Sequence, residues 1–218
     1  YFSGAIGVHL KHAWGVPLLH TFHSLGAVKG QVLGDEDPSP ETRLQIEQKI
    51  CQEADCIIAT APQELEDLVS LYNTDPAKIQ VIPCGVNLDL FHPQLHREAK
   101  RSIGYAPDDF LITFVGRLED RKGIDTLLEA VHLLDDPRTQ VVIVGGPPNP
   151  KAFLSWTELD LAPYRKYRDL LEQYGIESKV TFTGGKPQEE LSLYYSAGDV
   201  TVIPSYYEPF GLTAIEAL

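Results

Sequence analysis

Short runs of apolar residues alternate along the chain with longer stretches in which apolar residues recur every three or four positions. The short runs are typical of buried strands, and the longer stretches are typical of helices that cover a sheet. Strands are predicted at 16–22, 56–60, 78–83, 110–116, 140–146, 179–185 and 199–205. Helices are predicted at 4–13, 41–54, 124–134, 164–175 and 187–198. A capping box of Thr60 and Gln63 opens another helix, and the last helix starts near Gly211.

Strands that alternate with helices indicate parallel sheets covered on both faces. The alternation breaks down between 85 and 109, where Pro, His and charged residues are mixed without a clear period. The sequence therefore predicts two α/β domains, over 1–92 and 110–218, joined by a linker over 93–109. Ligands of such folds bind at the carboxyl ends of the strands, so the residues that follow each strand are the candidates for chemistry.

The composition is that of an acidic globular protein. The 218 residues are 43% hydrophobic, and 18 Lys and Arg against 31 Asp and Glu give a net charge of -13. This charge disfavours nucleic acid and anionic lipid surfaces as partners. No apolar run reaches about 18 residues, so no transmembrane segment is expected. Three cysteines without CxxC spacing indicate free thiols, and we expect a cytoplasmic protein.

Two cations flank the loop that follows the strand at 110–116. Arg117 and Lys122 stand on either side of Glu119 and Asp120, just before a predicted helix. Two cations beside the free N–H groups of a helix start could hold a diphosphate. An ordinary charged loop, in which the two acids pair with the two cations, explains the same spacing.

Two carboxylates surround the start of the last predicted helix. Glu208 precedes Pro-Phe-Gly, and Glu216 stands eight residues later. The amides of Gly211, Leu212 and Thr213 would face an anion at the helix start. Glu208 could accept hydrogen bonds from a hexose and Glu216 from a ribose. Each acid taken alone also fits a structural interpretation, as a helix-start acid and a solvated helix acid.

A third cluster follows the strand at 16–22, where His23, Ser24 and Lys29 lie close together in sequence. His20 and His23 could be metal ligands, but no third ligand stands at a recognisable spacing, so no metal is expected.

Two further patterns are weak. Asp35, Glu36 and Asp37 resemble the metal-binding acids of one class of sugar transferases, but they lie in a polar, Pro-rich segment, which favours a solvated loop. The segment GGPPNP (145–150) is not GxGxxG, and no GxxxxGK[ST] occurs, which weakens a dehydrogenase or P-loop hypothesis.

Together the three clusters resemble the family-4 retaining glycosyltransferases of the GT-B fold. The matching segments are GRLEDRKG (116–123), EPFGLTAIEA (208–217) and IPCGVNLDLF (82–91). The resemblance extends along nearly all of the chain. It implies an α/β GT-B fold of two Rossmann-like domains with parallel sheets, both incomplete in this chain, because family members are longer. It also implies an internal fragment without the first strand and its Gly-rich loop, and without the helices after Glu216.

The resemblance implies a role for each residue of the second domain's clusters. Arg117 and Lys122 would hold the nucleotide diphosphate, beside the amides of Gly211, Leu212 and Thr213. The carboxylate of Glu208 would contact the donor sugar as a catalytic residue, and that of Glu216 would contact the ribose.

In the first domain, HTFHSLGAVKG (20–30) followed by DPSPETR (37–43) is similar to one branch of the family. That branch holds sucrose-phosphate synthases and inositol-phosphate N-acetylglucosaminyltransferases. The similarity implies that His23 is the active-site histidine. It implies that Ser24, Lys29 and Arg43 bind a phosphorylated acceptor.

The implied activity is a retaining transfer of a sugar from a nucleotide-diphosphate sugar to a small phosphorylated sugar or cyclitol. The nucleotide sugar, expected to be UDP-linked, is a substrate, and no cofactor is expected. One alternative keeps the fold with a lipid or polysaccharide acceptor. Another is a non-catalytic module that binds nucleotide sugars, which the presence of His23, Lys122 and Glu208 disfavours.

Overall fold

A computed structural model describes residues 1–33, 41–146 and 165–218. The chain divides into two compact units, one of residues 1–85 with 207–210 and one of residues 86–206 with 211–218. The acids at 35–37, the first part of DPSPETR and the end of GGPPNP lie outside the described residues.

The first unit contains a parallel sheet, which has the order β1-β2-β3 in the described part of the chain. Its elements are α1 (Phe2–Trp14), β1 (Leu19–Thr21), α2 (Gly26–Leu33), α3 (Glu41–Glu53), β2 (Cys56–Ala59), α4 (Pro62–Tyr72) and β3 (Ile79–Val81). Ile57 and Ala59 of the central strand β2 are fully buried. They share a core with Ile50 of α3 and Leu68 of α4, so the helices cover the sheet as the apolar pattern predicts.

One helix of this unit was not predicted, and one predicted helix cap was wrong. Helix α2, Gly26–Leu33, lies in a segment for which no element was predicted, because its glycines and short apolar run give no helical period. Helix α4 is capped at Ala61 rather than at Thr60. The carboxylate that bonds back to Thr60 is that of Glu64, at 2.6 Å from the Thr60 amide and 2.8 Å from its hydroxyl.

The second unit contains a parallel sheet, with the order β6-β5-β4-β7 among the described residues. Its elements are α5 (His96–Ser102), β4 (Phe110–Val115), α6 (Ile124–Leu134), β5 (Thr139–Val144), α7 (Arg165–Tyr174), β6 (Val180–Gly184), α8 (Gln188–Ala197), β7 (Val200–Thr201) and α9 (Leu212–Ala217).

Helices cover both faces of this second sheet. On one face, Leu127 and Val131 of α6 pack in a core with Phe114 and Ile143 of the central strands. On the other face, residues of α5 and α8 form a core with Leu111, Val142 and Val144. Strands buried on both faces explain the nearly continuous apolar runs in the sequence. The predicted α/β fold with parallel sheets is confirmed.

The segment 93–109, predicted to be a linker, contains helix α5, which belongs to the second unit. Lys100 of α5 is buried, and its ammonium donates to Oδ2 of Asp199 at 2.6 Å and to the carbonyl of Asp109 at 2.7 Å. His96 lies 3.1 Å from the other oxygen of Asp199. Ala99 is the single apolar residue of α5, so the helix shows no apolar stripe, which is why the sequence pattern did not predict it.

Candidate functional site

The loops after β4 and β7 meet at the carboxyl edge of the second sheet, because the two strands are neighbours. The amide of Tyr206 donates to the carbonyl of Arg121 at 2.9 Å. Gly123 has a φ of 64°, and a Cβ at this position would collide with the carbonyl oxygen of Pro204. Glycine is therefore required there both by the backbone conformation and by the close approach of the two loops.

The two cations predicted to bind diphosphate have different environments. The side chain of Arg117 is 72% exposed, and its Nη1 lies 2.7 Å from Oε1 of Glu119. Arg121 lies 2.8 Å from the other oxygen of the same carboxylate. Lys122 ends the short 3-10 turn Asp120–Lys122 and is only 8% exposed. An exposed ion pair contributes little to stability, so Arg117 can exchange Glu119 for a phosphate at small cost.

Helix α9 begins at Leu212, as predicted, with Gly211 at the N-cap in a left-handed conformation, φ 61°. Its first internal bonds run from the amides of Ala214 and Ile215 to the carbonyl of Gly211, at 2.9 and 3.1 Å. The amides of Gly211, Leu212 and Thr213 precede these bonds, at the positively polarised end of the helix. The role of these three amides in binding an anion stays a prediction.

Glu216 of α9 is held by a residue that the sequence analysis missed. The Tyr195 hydroxyl donates to Oε2 of Glu216 at 2.9 Å. Tyr195 is 8% exposed, and burial together with the Glu216 charge raises its pKa, so the phenol remains a donor. Both side chains line a cavity of about 390 Å³, whose other lining residues include Phe91 and Ile215.

In the first unit, Ser24 and Arg43 meet at the carboxyl end of β1. Nη2 of Arg43 donates to the carbonyl and to the hydroxyl of Ser24, both at 2.9 Å. The Arg43 side chain is 13% exposed. Lys29 lies on α2, where its amide bonds to the carbonyl of Leu25 at 3.0 Å. The structure thus brings together two of the three predicted acceptor residues, and the role of Lys29 stays a prediction.

Both predicted catalytic residues belong to the first unit, since residues 207–210 group with it. His23 is exposed, and its ring packs edge-on against Phe210 with the centroids 5.8 Å apart. Glu208 lies two residues before Phe210. Burial lowers the pKa of His20, whose ring packs edge-on against Phe22. Among the described residues, no group of three or more His, Cys, Asp or Glu side chains is placed to hold a metal ion.

Sequence reasoning also missed Glu47 and Tyr72, which lie behind Arg43. Glu47 is fully buried, and its carboxylate accepts bonds from Arg43 at 2.7 Å and from the Tyr72 hydroxyl at 2.5 Å. The only signal in the sequence is the spacing of Arg43 and Glu47, four residues apart on one helix. The same spacing also occurs in exposed ion pairs on helix surfaces, so it does not indicate burial.

Comparison with known families decides the membership of the chain. Residues 96–218 match the family model described as glycosyl transferases group 1, and residues 1–90 match that of glycosyltransferase family 4. The chain belongs to the glycosyl transferases group 1 family. The segments 116–123 and 208–217, on which the family resemblance rests, both lie in the part matched by the group 1 model.

The curated relatives fall in the predicted branch. A D-inositol 3-phosphate glycosyltransferase of Mycobacteroides abscessus is 40% identical over 218 residues, which are the whole chain and 47% of that protein. One of Streptosporangium roseum is 37% identical over the whole chain and 49% of that protein. The chain spans about half the length of these relatives.

Solved structures confirm the predicted GT-B fold. The sucrose-phosphate synthase of Thermosynechococcus elongatus has a TM-score of 0.85 and 40% identity, over 99% of this chain and 51% of that one. Anabaena HepE, solved with UDP and glucose, has a TM-score of 0.81 over 99% of this chain and 54% of that one. At 17% identity, this similarity is evidence for the fold alone. The helices of the described residues include none with the length and apolar character needed to cross a membrane.

Proposed function

We propose that the protein is a retaining glycosyltransferase that moves a sugar from a nucleotide-diphosphate sugar to a small phosphorylated sugar or cyclitol. Membership of the family supports sugar transfer. A phosphorylated acceptor is supported by one observation. The Arg43 guanidinium is fixed by hydrogen bonds to both the hydroxyl and the carbonyl of Ser24, at the carboxyl end of β1.

This arrangement fits a phosphate. A guanidinium presents several donors in one plane, which suits the oxygens of a phosphate group. Because the Ser24 hydroxyl accepts a hydrogen bond from Arg43, its own hydrogen can be donated to a different acceptor, such as a phosphate oxygen. Two relatives at 40% identity carry names with a phosphorylated product or substrate, D-inositol 3-phosphate glycosyltransferase and sucrose-phosphate synthase. The chain as a whole is acidic, so at this site the positive charge of Arg43 has to outweigh the negative electrostatic potential of the rest of the chain.

The second unit supplies the donor site in this proposal. Lys122, Arg117 and the amides at the start of α9 stabilise the negative charge of the diphosphate. Glu216, held by Tyr195, accepts hydrogen bonds from the ribose hydroxyls. UDP is the nucleotide we expect. The donor is a substrate, and the proposed chemistry uses no cofactor.

Transfer then needs no strong protein nucleophile. The oxygen of the acceptor hydroxyl forms its bond to the anomeric carbon on the face from which the diphosphate departs, so the configuration is retained. The bond between the anomeric carbon and the diphosphate oxygen breaks, and the proton of the acceptor hydroxyl passes to the departing diphosphate. Lys122 and Arg117 stabilise the charge that develops on the departing diphosphate. His23 orients the sugar, and Glu208 contacts its hydroxyls.

The test is a product screen of the full-length protein with several nucleotide sugars and matched acceptors with and without phosphate. We expect turnover with one nucleotide sugar, a higher kcat/KM for the phosphorylated acceptor, and a product with the anomeric configuration of the donor by NMR. Turnover with lipid or polysaccharide acceptors alone would overturn the acceptor assignment. Binding of nucleotide sugars without turnover would indicate a non-catalytic module.

A further inference from the structure

We propose that Glu47 is a positioning residue of the acceptor site, which holds the Arg43 guanidinium and residues 24–27, where the loop after β1 enters α2, in the geometry that receives a phosphate. This inference rests on the proposed function. It concerns a side chain that acts on the acceptor through others, because Glu47 itself is fully buried.

The Glu47 carboxylate joins three parts of the first unit. Its Oε1 accepts from Nε of Arg43 at 2.7 Å, within helix α3. Its Oε2 accepts from the amide of Gly26 at 2.9 Å and from the hydroxyl of Tyr72 on α4 at 2.5 Å. A buried carboxylate is tolerated only with such partners, so these bonds fix the carboxylate in one place.

The start of helix α2, which follows β1, lies directly against this ion pair. A Cβ at Gly26 would stand 3.0 Å from Nε of Arg43 and 3.0 Å from Oε2 of Glu47, which is closer than ordinary contact. The Tyr72 hydroxyl, which donates to Glu47, accepts in turn from the amide of Ala27 at 2.9 Å. Two consecutive amides at the start of α2, those of Gly26 and Ala27, are thus held by the carboxylate and by the phenol bonded to it.

These bonds fix the orientation of the guanidinium. A guanidinium is planar, so two anchored edges determine its plane. Glu47 anchors Nε, and Ser24 anchors Nη2 through its carbonyl and hydroxyl. The Ser24 hydroxyl is set in the same way, since it accepts from Arg43. Glu47 therefore acts indirectly on both groups that we propose to contact the phosphate, the Arg43 guanidinium and the Ser24 hydroxyl.

A buried carboxylate could have the opposite effect, because its charge partly neutralises Arg43 and would weaken the attraction for an anion. The two roles differ in sign. If Glu47 positions Arg43, its removal raises the KM for the phosphorylated acceptor. If it chiefly neutralises Arg43, its removal lowers that KM. Burial and the Glu47 charge raise the pKa of Tyr72, so its phenol stays a donor throughout the range of such assays.

The experiment uses the full-length enzyme with Tyr72→Phe and Glu47→Gln. The first removes one bond to the carboxylate and the acceptor for the Ala27 amide, and it keeps the ring. The second keeps the shape and loses the charge. We measure kcat/KM for matched acceptors with and without phosphate, and the KM for the nucleotide sugar. We expect the preference for the phosphorylated acceptor to fall about fivefold in Tyr72→Phe and about tenfold in Glu47→Gln, with the donor KM within about twofold.

The control is Leu68→Ala, which removes fully buried core packing on α4 one turn before Tyr72. It should lower the thermal midpoint without changing the ratio between the two acceptors, because a ratio does not depend on the folded fraction. If Glu47→Gln does not fold, Tyr72→Phe decides the question.

The outcomes separate this inference from the function on which it rests. If the wild-type enzyme has equal kcat/KM for both acceptors, the proposal of a phosphorylated acceptor is contradicted. The positioning role of Glu47 is then contradicted as well, because it depends on that proposal. A wild-type preference that Arg43→Ala abolishes, but that Tyr72→Phe and Glu47→Gln leave unchanged, overturns the positioning role alone. A lower KM for the phosphorylated acceptor in Glu47→Gln overturns it in favour of neutralisation.

Discussion

The Tyr195 hydroxyl on α8 donates a 2.9 Å hydrogen bond to the Glu216 carboxylate on α9. Tyr195 is anchored in a core helix, whereas α9 is a short helix that begins at Gly211. The bond therefore fixes the rotamer of a carboxylate on a small element by a group on a larger, well-packed one. In the proposed donor site, that fixed rotamer directs the carboxylate to the ribose.

We expect Tyr195→Phe in the full-length enzyme to weaken binding of the nucleotide diphosphate about fivefold, the effect of one hydrogen bond. The ring stays, so core packing changes little. Calorimetry with UDP measures the effect. Tyr194→Phe, the neighbouring tyrosine on the same helix, is the matched control and should keep wild-type affinity. Equal losses in both variants would mean that the effect comes from α8 and not from Glu216.

Glu208 and Glu216 should have separate roles. We expect Glu216→Gln to weaken nucleotide affinity and Glu208→Gln to lower kcat, because in the proposed site only the Glu208 carboxylate contacts the transferred sugar. Gln keeps an acceptor oxygen and removes the charge. Nucleotide Kd and kcat, measured for both variants, test this division, and equal losses of nucleotide affinity would remove it.

Lys122 is the cation that we expect to matter most for the donor, because it is mostly buried beside the loop after β7. We expect Lys122→Ala to lower kcat/KM for the nucleotide sugar about ten- to hundredfold, since a hydrogen bond to a charged group contributes roughly 1.5–3 kcal/mol. Arg138→Ala is the control, because Arg138 precedes β5 at the amino edge of the same sheet and pairs with Asp136. An unchanged kcat/KM in Lys122→Ala would show that the diphosphate binds elsewhere.

The apolar period predicted the elements that pack by apolar surface alone. Helix α6 matches its predicted bounds, since residues such as Leu128 and Val131 are fully buried on one stripe. Helices α2 and α5 were missed because their few apolar residues follow no helical period, although Ala27, Val28 and Ala99 pack in the cores. Gly26 looks like a loop glycine in the sequence, and only the structure shows Arg43 and Glu47 pressed against it.

The same distinction separates the site residues that were predicted from those that were not. Arg43 and Ser24 follow from the family resemblance, and the structure brings them together. Glu47, Tyr72 and Tyr195 could not be predicted, because a single polar residue on a helix looks solvated unless its burial is known. What they do depends on contacts between elements, which no local pattern encodes.

Asp199 should govern part of the stability of the second unit. Burial alone would raise the pKa of its carboxyl, but bonds from Lys100 and from the amide of Leu111 outweigh this, and the pKa is lowered. A carboxyl with a lower pKa in the folded state stabilises the protein above its unfolded pKa, near 3.8. This contribution is lost as the pH falls through the folded value.

We therefore expect Asp199→Asn to lower the free energy of unfolding at neutral pH by about 3 kcal/mol, because it leaves the Lys100 ammonium buried without its counter-charge. The difference from wild type should shrink below about pH 4. Thermal midpoints across pH 3–7 measure both effects. Asp108→Asn, at an exposed acid that pairs with Arg97, is the control and should change the midpoint little. A loss independent of pH would contradict the linkage.

The last prediction separates the charge of Arg43 from its shape. Arg43→Lys keeps a positive charge but replaces the planar fork by a single ammonium, which cannot bond to Glu47 at Nε and to Ser24 at Nη2 in the same way. If the phosphate is recognised by an oriented guanidinium, Arg43→Lys should lose the preference for the phosphorylated acceptor by about tenfold, almost as much as Arg43→Ala.

The measurement is kcat/KM for matched acceptors with and without phosphate, in the wild type and both variants of the full-length enzyme. Arg97→Lys, at an exposed arginine of the second unit, is the control and should keep the wild-type ratio. A wild-type ratio in Arg43→Lys would mean that positive charge suffices, and the orientation imposed by Glu47 and Ser24 would then not matter. A loss in Arg43→Ala of equal size for both acceptors would mean that Arg43 recognises something other than the phosphate.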